Sequence, residues 1–303
     1  MKVVFFSESQ INGKVPRDFS NARTEYAWMM ALDAPHYNIN NVPNEKFDLG
    51  IVIVPKNNPN VNLDLLRACC DKVAVMQEGP HWYFQDYSVS QQFHYFNLLM
   101  SADWVYCHNE SDVQYFLGLG CKDIRVMRSL MIPEGLSPQT ERGNGTIIGG
   151  NFVSWYGGFD SFMVAMNLND SITAPSMGRK QNEEKLIEEI NYLPYLSWRD
   201  WITELGKYNV GIHLMRTHAA GTFAMNCAFH EIPCIGYKGL DTQETLHPLT
   251  TVDVGDLNTA NIIAKKLKND DKFYSLCSHT IRKRFKGYYT EDAWKENWRV
   301  TNK

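Results

Sequence analysis

Residues 213–236, HLMRTHAAGTFAMNCAFHEIPCIG, decide how this chain is read. A strand-like run (Val210, Ile212, Leu214) ends in Arg216-Thr217, and a small-residue turn, His218-Ala219-Ala220-Gly221-Thr222, follows it. A helical run from Phe223 to Phe229 comes next, then a short apolar strand (Cys234, Ile235, Gly236) opened by Pro233. A glycine-bearing loop that feeds a helix is an anion site in outline. The first-turn N–H groups lack partners, and the helix dipole is positive there. Ala219, Ala220 and Gly221 allow close backbone approach, Thr217 and Thr222 add hydroxyl donors, and Arg216 adds a fixed charge. The same spacing also describes an ordinary strand–loop–helix–strand, so the rest of the chain must arbitrate.

Working outward, short apolar runs alternate with amphipathic ones. Residues 3–6, 49–54, 73–76, 104–107 and 124–127 read as strands. Residues 24–32, 63–69, 92–100 and 111–119 read as helices, the last capped by Ser111 and ended by Gly120. Residues 133–145, PEGLSPQTERGNG, have no periodicity and read as a linker. A second alternating set begins at 146–149. It continues with helices at 159–166, at 183–190, around Trp198, Trp201, Ile202 and Leu205, and at 259–267, with a strand near Ile172. Strand and helix taking turns in both halves predicts two parallel, doubly wound sheets. In the tail, YYTEDAWKENWRV, Trp294 and Trp298 lie four apart on one helical face.

Composition narrows the classes. With 303 residues, 44% hydrophobic and 21% charged, the chain is globular and long enough for two cores. A formal charge of −4 argues against avid non-specific nucleic-acid binding. Seven cysteines without a C-x-x-C pair read as reduced buried thiols, not as a disulfide framework or zinc site. No apolar run reaches a membrane span and the N-terminus reads as a first strand, so a cytoplasmic protein is expected. The histidines show no metal-ligand spacing, and His36, His94, His108, His213, His230 and His247 read as structural or surface residues. No P-loop pattern and no G-x-G-x-x-G follow the first strand.

Three further stretches carry candidate chemistry. Ile147-Ile148-Gly149-Gly150-Asn151-Phe152-Val153-Ser154 puts two glycines at a strand end, so that with the Arg216–Thr222 loop it would form one edge of a sheet where such folds bind ligands. Met76-Gln77-Glu78-Gly79-Pro80-His81-Trp82-Tyr83 follows a buried strand. Glu78, His81 and Asp86 are eligible bases there, and Trp82 and Tyr83 suit stacking on a sugar or base. Asn12-Gly13-Lys14-Val15-Pro16, then Arg23-Thr24-Glu25, form the loop after the first strand, where Glu25 also fits a plain helix-start carboxylate.

Taken together, these segments resemble the GT-B-fold glycosyltransferases. That resemblance implies two Rossmann-like doubly wound domains facing a cleft: 1–135 on the acceptor side, 146–275 binding a nucleotide sugar, and 276–303 as a helix crossing back to the first domain. Many members carry two glutamates eight residues apart before Gly-x-Pro-Val; those positions fall on His218 and Asn226 here, so both carboxylates are absent. The resemblance assigns the donor to Gly149, Gly150, Asn151, Ser154, Met177, Gly178, Thr217, His218, Gly221, Thr222 and Asn226. It assigns catalysis to Glu78, Glu25 and Arg216, with Arg216 and the N–H groups of Gly221 and Thr222 neutralising the departing diphosphate. The implied donor is a UDP-sugar, with no bound metal. The implied acceptor is a glycan or lipid-linked sugar. The alternatives are a nucleotide-sugar epimerase, a non-catalytic nucleotide-sugar-binding protein, and an enzyme acting on hydroxymethylated DNA. The last arises because Val15-Pro16 with Glu25, and Gly149-Gly150-Asn151-Phe152 with Ser154, are similar to phage DNA glucosyltransferases, whose catalytic carboxylate stands where Glu78 does. Lys14, Arg17, Arg23 and Trp82 would then supply the basic rim and wedge for base extrusion.

Overall fold

The computed structural model describes residues 1–302 apart from 56–58, 78, 151, 154, 169 and 177–185. The chain forms two compact units. The first comprises Met1–Ile132, His218–Ala220 and Trp294–Lys303; the second comprises Pro133–Thr217 and Gly221–Ala293. The segment 133–145 lacks regular structure yet is tied into the second unit, where the Gln139 N–H donates to His230 Nδ1 (2.9 Å) and the Asn144 N–H to the Lys207 carbonyl (2.8 Å).

In the first unit the strands are β1 Val3–Ser7, β2 Gly13–Lys14, β3 Pro35–Asn38, β4 Phe47–Val54, β5 Cys70–Gln77, β6 Trp104–Cys107 and β7 Ile124–Val126. They lie in the order β2-β3-β1-β4-β5-β6-β7, and all pairings are parallel except β2 with β3. Its helices are α1 Thr24–Ala31, α2 Leu63–Arg67, α3 Val89–Ser101 and α4 Val113–Leu119. Strand β4, FDLGIVIV, is buried at every position except Asp48, as a parallel strand covered on both faces must be. Gly120 ends α4 in the left-handed conformation (φ 98°), as the sequence indicates. Ser111 does not cap that helix: a 3₁₀ turn precedes it, and the hydroxyl lies 3.1 Å from His218 Nδ1. The edge strand β2 and its neighbour β3 escaped the sequence reading because each is short and neither alternates. His36 anchors them from a fully buried position. Its Nδ1–H donates to the Ile11 carbonyl (2.5 Å), and its Nε2 accepts from the Ser7 hydroxyl (2.8 Å).

The second unit has strands β8 Thr146–Ile148, β9 Ile172–Ala174, β10 Ile190–Tyr192, β11 Val210–His213, β12 Cys234–Tyr237 and β13 Thr251–Val252. The order is β10-β9-β8-β11-β12-β13, all parallel, the doubly wound Rossmann arrangement with its switch point between β8 and β11. Around it lie α5 Gly158–Met166, α6 Trp198–Leu205, α7 Thr222–Phe229, α8 Asp241–Leu246, α9 Leu257–Asn269 and α10 Asp271–Tyr288. Asp256 and Asp270 cap α9 and α10, accepting from the Thr259 and Phe273 N–H groups (each 2.9 Å). Helix α7 is apolar all round and buried from Phe223 to Phe229, which makes it a core helix.

The last helix, α11 Glu291–Thr301, joins the first unit from Trp294 onward, later than the 276 expected from sequence, because α10 stays with the second. Two indoles converge on one acceptor: Trp294 Nε1 (2.7 Å) and Trp28 Nε1 (2.9 Å) both donate to the Arg128 carbonyl. Further along, Asn302 bonds Tyr106 and accepts from Arg125 Nη1 (3.2 Å). Replacing a buried tryptophan by alanine removes its transfer energy and leaves a cavity, about 3–5 kcal/mol. Trp294→Ala should lose stability on that scale in chemical denaturation, whereas Trp298→Ala, in a less buried position, should lose less; equal losses would contradict this docking.

Burial also pushes the imidazoles of His213 and His247 down to about 4 from the usual 6.5. His247 is held on both sides, accepting from the Cys234 N–H (3.2 Å) and donating to the Ala224 carbonyl (2.8 Å). The unfolded chain takes up these protons near pH 6.5 and the folded chain only near pH 4. Each therefore stabilises the fold fully above pH 6.5 and loses about 1.4 kcal/mol per pH unit as the pH falls through that window. Urea unfolding followed from pH 7 to pH 4 should show a shallower loss for His247→Gln than for the native chain; parallel profiles would refute the assignment.

Candidate functional site

In the second unit the parallel register that pairs Val210 with Thr146 and Ile212 with Ile148 brings the ends of β8 and β11 side by side. The ladder runs one step further, the Gly149 N–H donating to the Ile212 carbonyl (2.8 Å). Here side chains are excluded. A Cβ on Gly149 would lie 2.8 Å from the His213 ring and 2.9 Å from that of Phe223, and one on Gly157 (φ 67°) would lie 1.8 Å from the Leu214 carbonyl oxygen. Helix α5 starts directly after Gly157, and its Ser161 hydroxyl both donates to the Gly157 carbonyl (2.8 Å) and accepts from the Leu214 N–H (2.9 Å). The glycine loop and the start of α5 are thus fastened to β11.

Arg216 is aimed by a partner that sequence reading missed. Its Nε and Nη2 donate to Asp160 Oδ2 (3.2 and 2.8 Å), and the Tyr237 hydroxyl donates to the same oxygen (3.1 Å). Burial and the adjoining Asp160 push the Tyr237 phenol up to about 12, which keeps it a donor. Asp160 is buried while the Arg216 side chain is half exposed, so one edge of the guanidinium is fixed and the other faces outward. Gly221 (φ 63°) begins α7, with its carbonyl accepting from the Thr242 hydroxyl (2.9 Å); a Cβ there would meet that oxygen at 2.0 Å. The first-turn N–H groups from Thr222 onward have no intrahelical acceptor. Thr217 is buried beside them in sequence. Asn226 is turned inward: its amide nitrogen donates to the Thr222 carbonyl (3.1 Å) and its oxygen accepts from Trp201 Nε1 (3.0 Å).

Arg216, Thr217, Gly221 and Thr222 belong to the second unit, whereas His218–Ala220 group with the first. Asn109 Nδ2 donates to the Ala219 carbonyl (3.1 Å), and the Ser129 hydroxyl donates to that of Ala220. His218 meets the Asp112 carboxylate, with its Nδ1 3.2 Å from Oδ1. His81 Nδ1 reaches the same oxygen at 3.0 Å, and Asn109 Nδ2 donates to Oδ2 at 3.0 Å. Burial alone would raise the Asp112 pKa, but hydrogen bonds from His218, His81 and Asn109 outweigh it and hold the carboxyl well below the usual range. Because a carboxylate only accepts, the Nδ1 of each imidazole facing it carries a proton. The His81 ring is further held by Tyr115, 4.3 Å away between centroids.

Sequence reading found His81 but not Asp112. The signal was available: His81 follows β5 and Asp112 follows β6, adjacent strands of one parallel sheet, whose carboxyl ends bind ligands in this class of fold. Glu25 sits in the first turn of α1 and accepts from the Thr24 hydroxyl. Glu78, Asn151, Ser154, Met177 and Gly178 lie outside the described residues, as do 183–185 of the helix expected over 183–190; the described remainder, 186–190, is not helical but turns into β10 at Ile190.

No protein-family model matches the sequence, and no curated protein shows detectable similarity to it. Solved structures do. Anabaena Alr3699/HepE in complex with UDP-glucose aligns at TM-score 0.69 and 11% identity over 100% of this chain and 99% of its own. An α-glucosyltransferase in complex with UDP and a 13-mer DNA containing an HMU base aligns at 0.64 and 12%, over 100% and 99%. TarM of S. aureus, in complex with UDP among other ligands, aligns at 0.66 and 11% over 86% of this chain, which spans 56% of TarM's length. Likeness at such identities concerns the fold, and the expectation of a GT-B-like architecture, two Rossmann-like units with a C-terminal helix, is borne out.

Gly157 gives a direct check on the backbone packing that shapes the second unit's site. A left-handed alanine costs about 1–2 kcal/mol before any clash. Gly157→Ala adds the Leu214 carbonyl clash and should therefore lose at least about 2 kcal/mol in chemical denaturation; native stability in the variant would disprove the close approach.

Proposed function

We propose that this chain is a glycosyltransferase that moves a sugar from a nucleotide diphosphate, UDP foremost, to an acceptor hydroxyl. The observation that carries the reading is the switch-point edge of the second unit, where the Gly149-Gly150 loop, the N-terminus of α7 and the Asp160-held Arg216 come from β8, β11 and the segments after them. An edge of this composition suits a diphosphate: backbone N–H donors, no Cβ in the way, and one outward cationic edge. UDP is the nucleotide bound in HepE, TarM and the DNA α-glucosyltransferase, which supports it as the donor carrier. As the glycosidic bond to phosphate breaks, charge develops on the leaving diphosphate, and Arg216 with the Thr222 N–H would stabilise it. Arg216 is pre-aimed by Asp160, so little reorganisation is required at that moment.

The proton of the acceptor hydroxyl goes to His81 in this reading. Its Nδ1–H is committed to Asp112, so Nε2 is the basic nitrogen, a carboxylate–imidazole pairing in which the carboxylate fixes the tautomer and stabilises the imidazolium formed. Glu78, three residues earlier, remains the second candidate for that proton. The favoured acceptor is a glycan or lipid-linked sugar. Modified DNA is the second reading, supported by the full-length alignment with the α-glucosyltransferase solved on DNA and opposed by the chain's net charge of −4. No metal is required for the donor step as proposed.

A panel of nucleotide sugars read by thermal shift, followed by transfer assays on glycan, lipid-linked and hydroxymethylated DNA acceptors, tests the reading. Stabilisation by UDP-sugars with transfer supports it. An altered sugar without transfer would indicate an epimerase, and binding without turnover a sugar-binding protein. With the active pair in hand, Arg216→Ala should lower turnover by about 10²–10³, and His81→Ala by about 10²–10⁴ with UDP affinity unchanged. Unaltered turnover in either variant would remove that residue from the mechanism.

A further inference from the structure

His81, Asp112 and His218 each offer a ligand atom, and the three atoms lie within 4.8 Å of one another. They reach this position from three separate segments: the loop after β5, the turn before α4, and the His218–Ala220 stretch that groups with the first unit. The Nδ1–Oδ1 separations are 3.0 and 3.2 Å. Two ligands on a tetrahedral zinc ion, each about 2.0–2.1 Å from the metal, stand about 3.4 Å apart. Two sides of the triad are therefore within a few tenths of an ångström of that spacing, and the third, between the two imidazoles, is no longer than 4.8 Å. Asp112 has the outer support that ligating carboxylates need, its second oxygen accepting from Asn109 Nδ2 at 3.0 Å. Both imidazoles are partly exposed, with side-chain accessibilities of 19% and 28%, which leaves room for entry and for a water as fourth ligand.

We propose that His81 Nδ1, an Asp112 carboxylate oxygen and His218 Nδ1 form a binding site for a divalent transition-metal ion of the zinc type, and that the ion switches the proposed transferase off. The switching half rests on the reading of His81 as the base. Proton bookkeeping gives the mechanism. In the metal-free triad each neutral imidazole bears its proton on Nδ1 and keeps the Nε2 lone pair. Metal bound at Nδ1 requires that nitrogen to be bare, so the proton is re-placed on Nε2 by exchange with water and no net proton is released from the two rings. An Nε2–H can no longer accept the acceptor's proton. Metal and base function are thus mutually exclusive through one tautomer change, and the ion acts as an inhibitor, not as a cofactor.

The test uses the full chain, stripped with chelator and kept reduced. Zn²⁺ is titrated calorimetrically, and Co²⁺ is followed by its visible d–d absorption. The expected result is one ion per chain at the triad, bound at least tenfold more weakly by His218→Ala, with the Co²⁺ band lost. The His218 side chain is partly exposed and outside the apolar core, so this variant should fold; Asp112→Asn, checked for native circular dichroism, gives a second reading of the same site. Binding that is absent, or equal in the native chain and both variants, overturns the metal site and leaves the His81 base to its own kinetic test. Binding at the triad with loss of transfer supports both halves. Binding at the triad with transfer undiminished upholds the site and overturns the switch, and with it the assignment of His81 as base.

Discussion

The parallel pairing of β8 with β11 is the constraint on which the second unit depends. Doubly wound sheets reverse direction at one point, and here that point puts Gly149 next to His213 and Gly157 against the Leu214 carbonyl. Two backbones can approach that closely only where no Cβ intervenes. The Ser161 hydroxyl then closes the corner, satisfying a strand N–H and a loop carbonyl together. Everything proposed for the donor follows from this corner: where α5 begins, where Asp160 stands on its first turn, and hence where Arg216 is held.

The first unit is organised by a different interaction, the buried Asp112 carboxylate. A buried charge is costly unless paired and hydrogen-bonded. Asp112 meets that condition through three donors from three places, His81, His218 and Asn109. The arrangement has a chemical consequence besides stability. Two imidazoles that donate to one oxygen are fixed in ring orientation, with Nδ1 toward the carboxylate and Nε2 directed away from it.

Particular neighbours explain how several of the candidate residues are held. Arg216 has five donors in a rigid fork, and Asp160 takes two of them. Asn226 lies on a helix that is buried all round, where an unsatisfied amide would be penalised, and Thr222 and Trp201 satisfy it. His218 is oriented by the Asp112 carboxylate, 3.2 Å from its Nδ1.

What the amino-acid sequence determined by itself was the architecture: alternation of apolar strands with amphipathic helices in both halves, glycines after the strand that opens the second half, and a tryptophan-bearing tail helix. Those features are local, because strand and helix periodicity and the conformational freedom of glycine need only neighbouring residues to express themselves. Only the tertiary structure decided which side chains share a site. Asp112 lies 31 residues from His81 and 106 from His218, and Asp160 lies 56 from Arg216. Such pairs leave no periodic trace, since strand order and burial, not spacing along the chain, determine which charged groups must find one another.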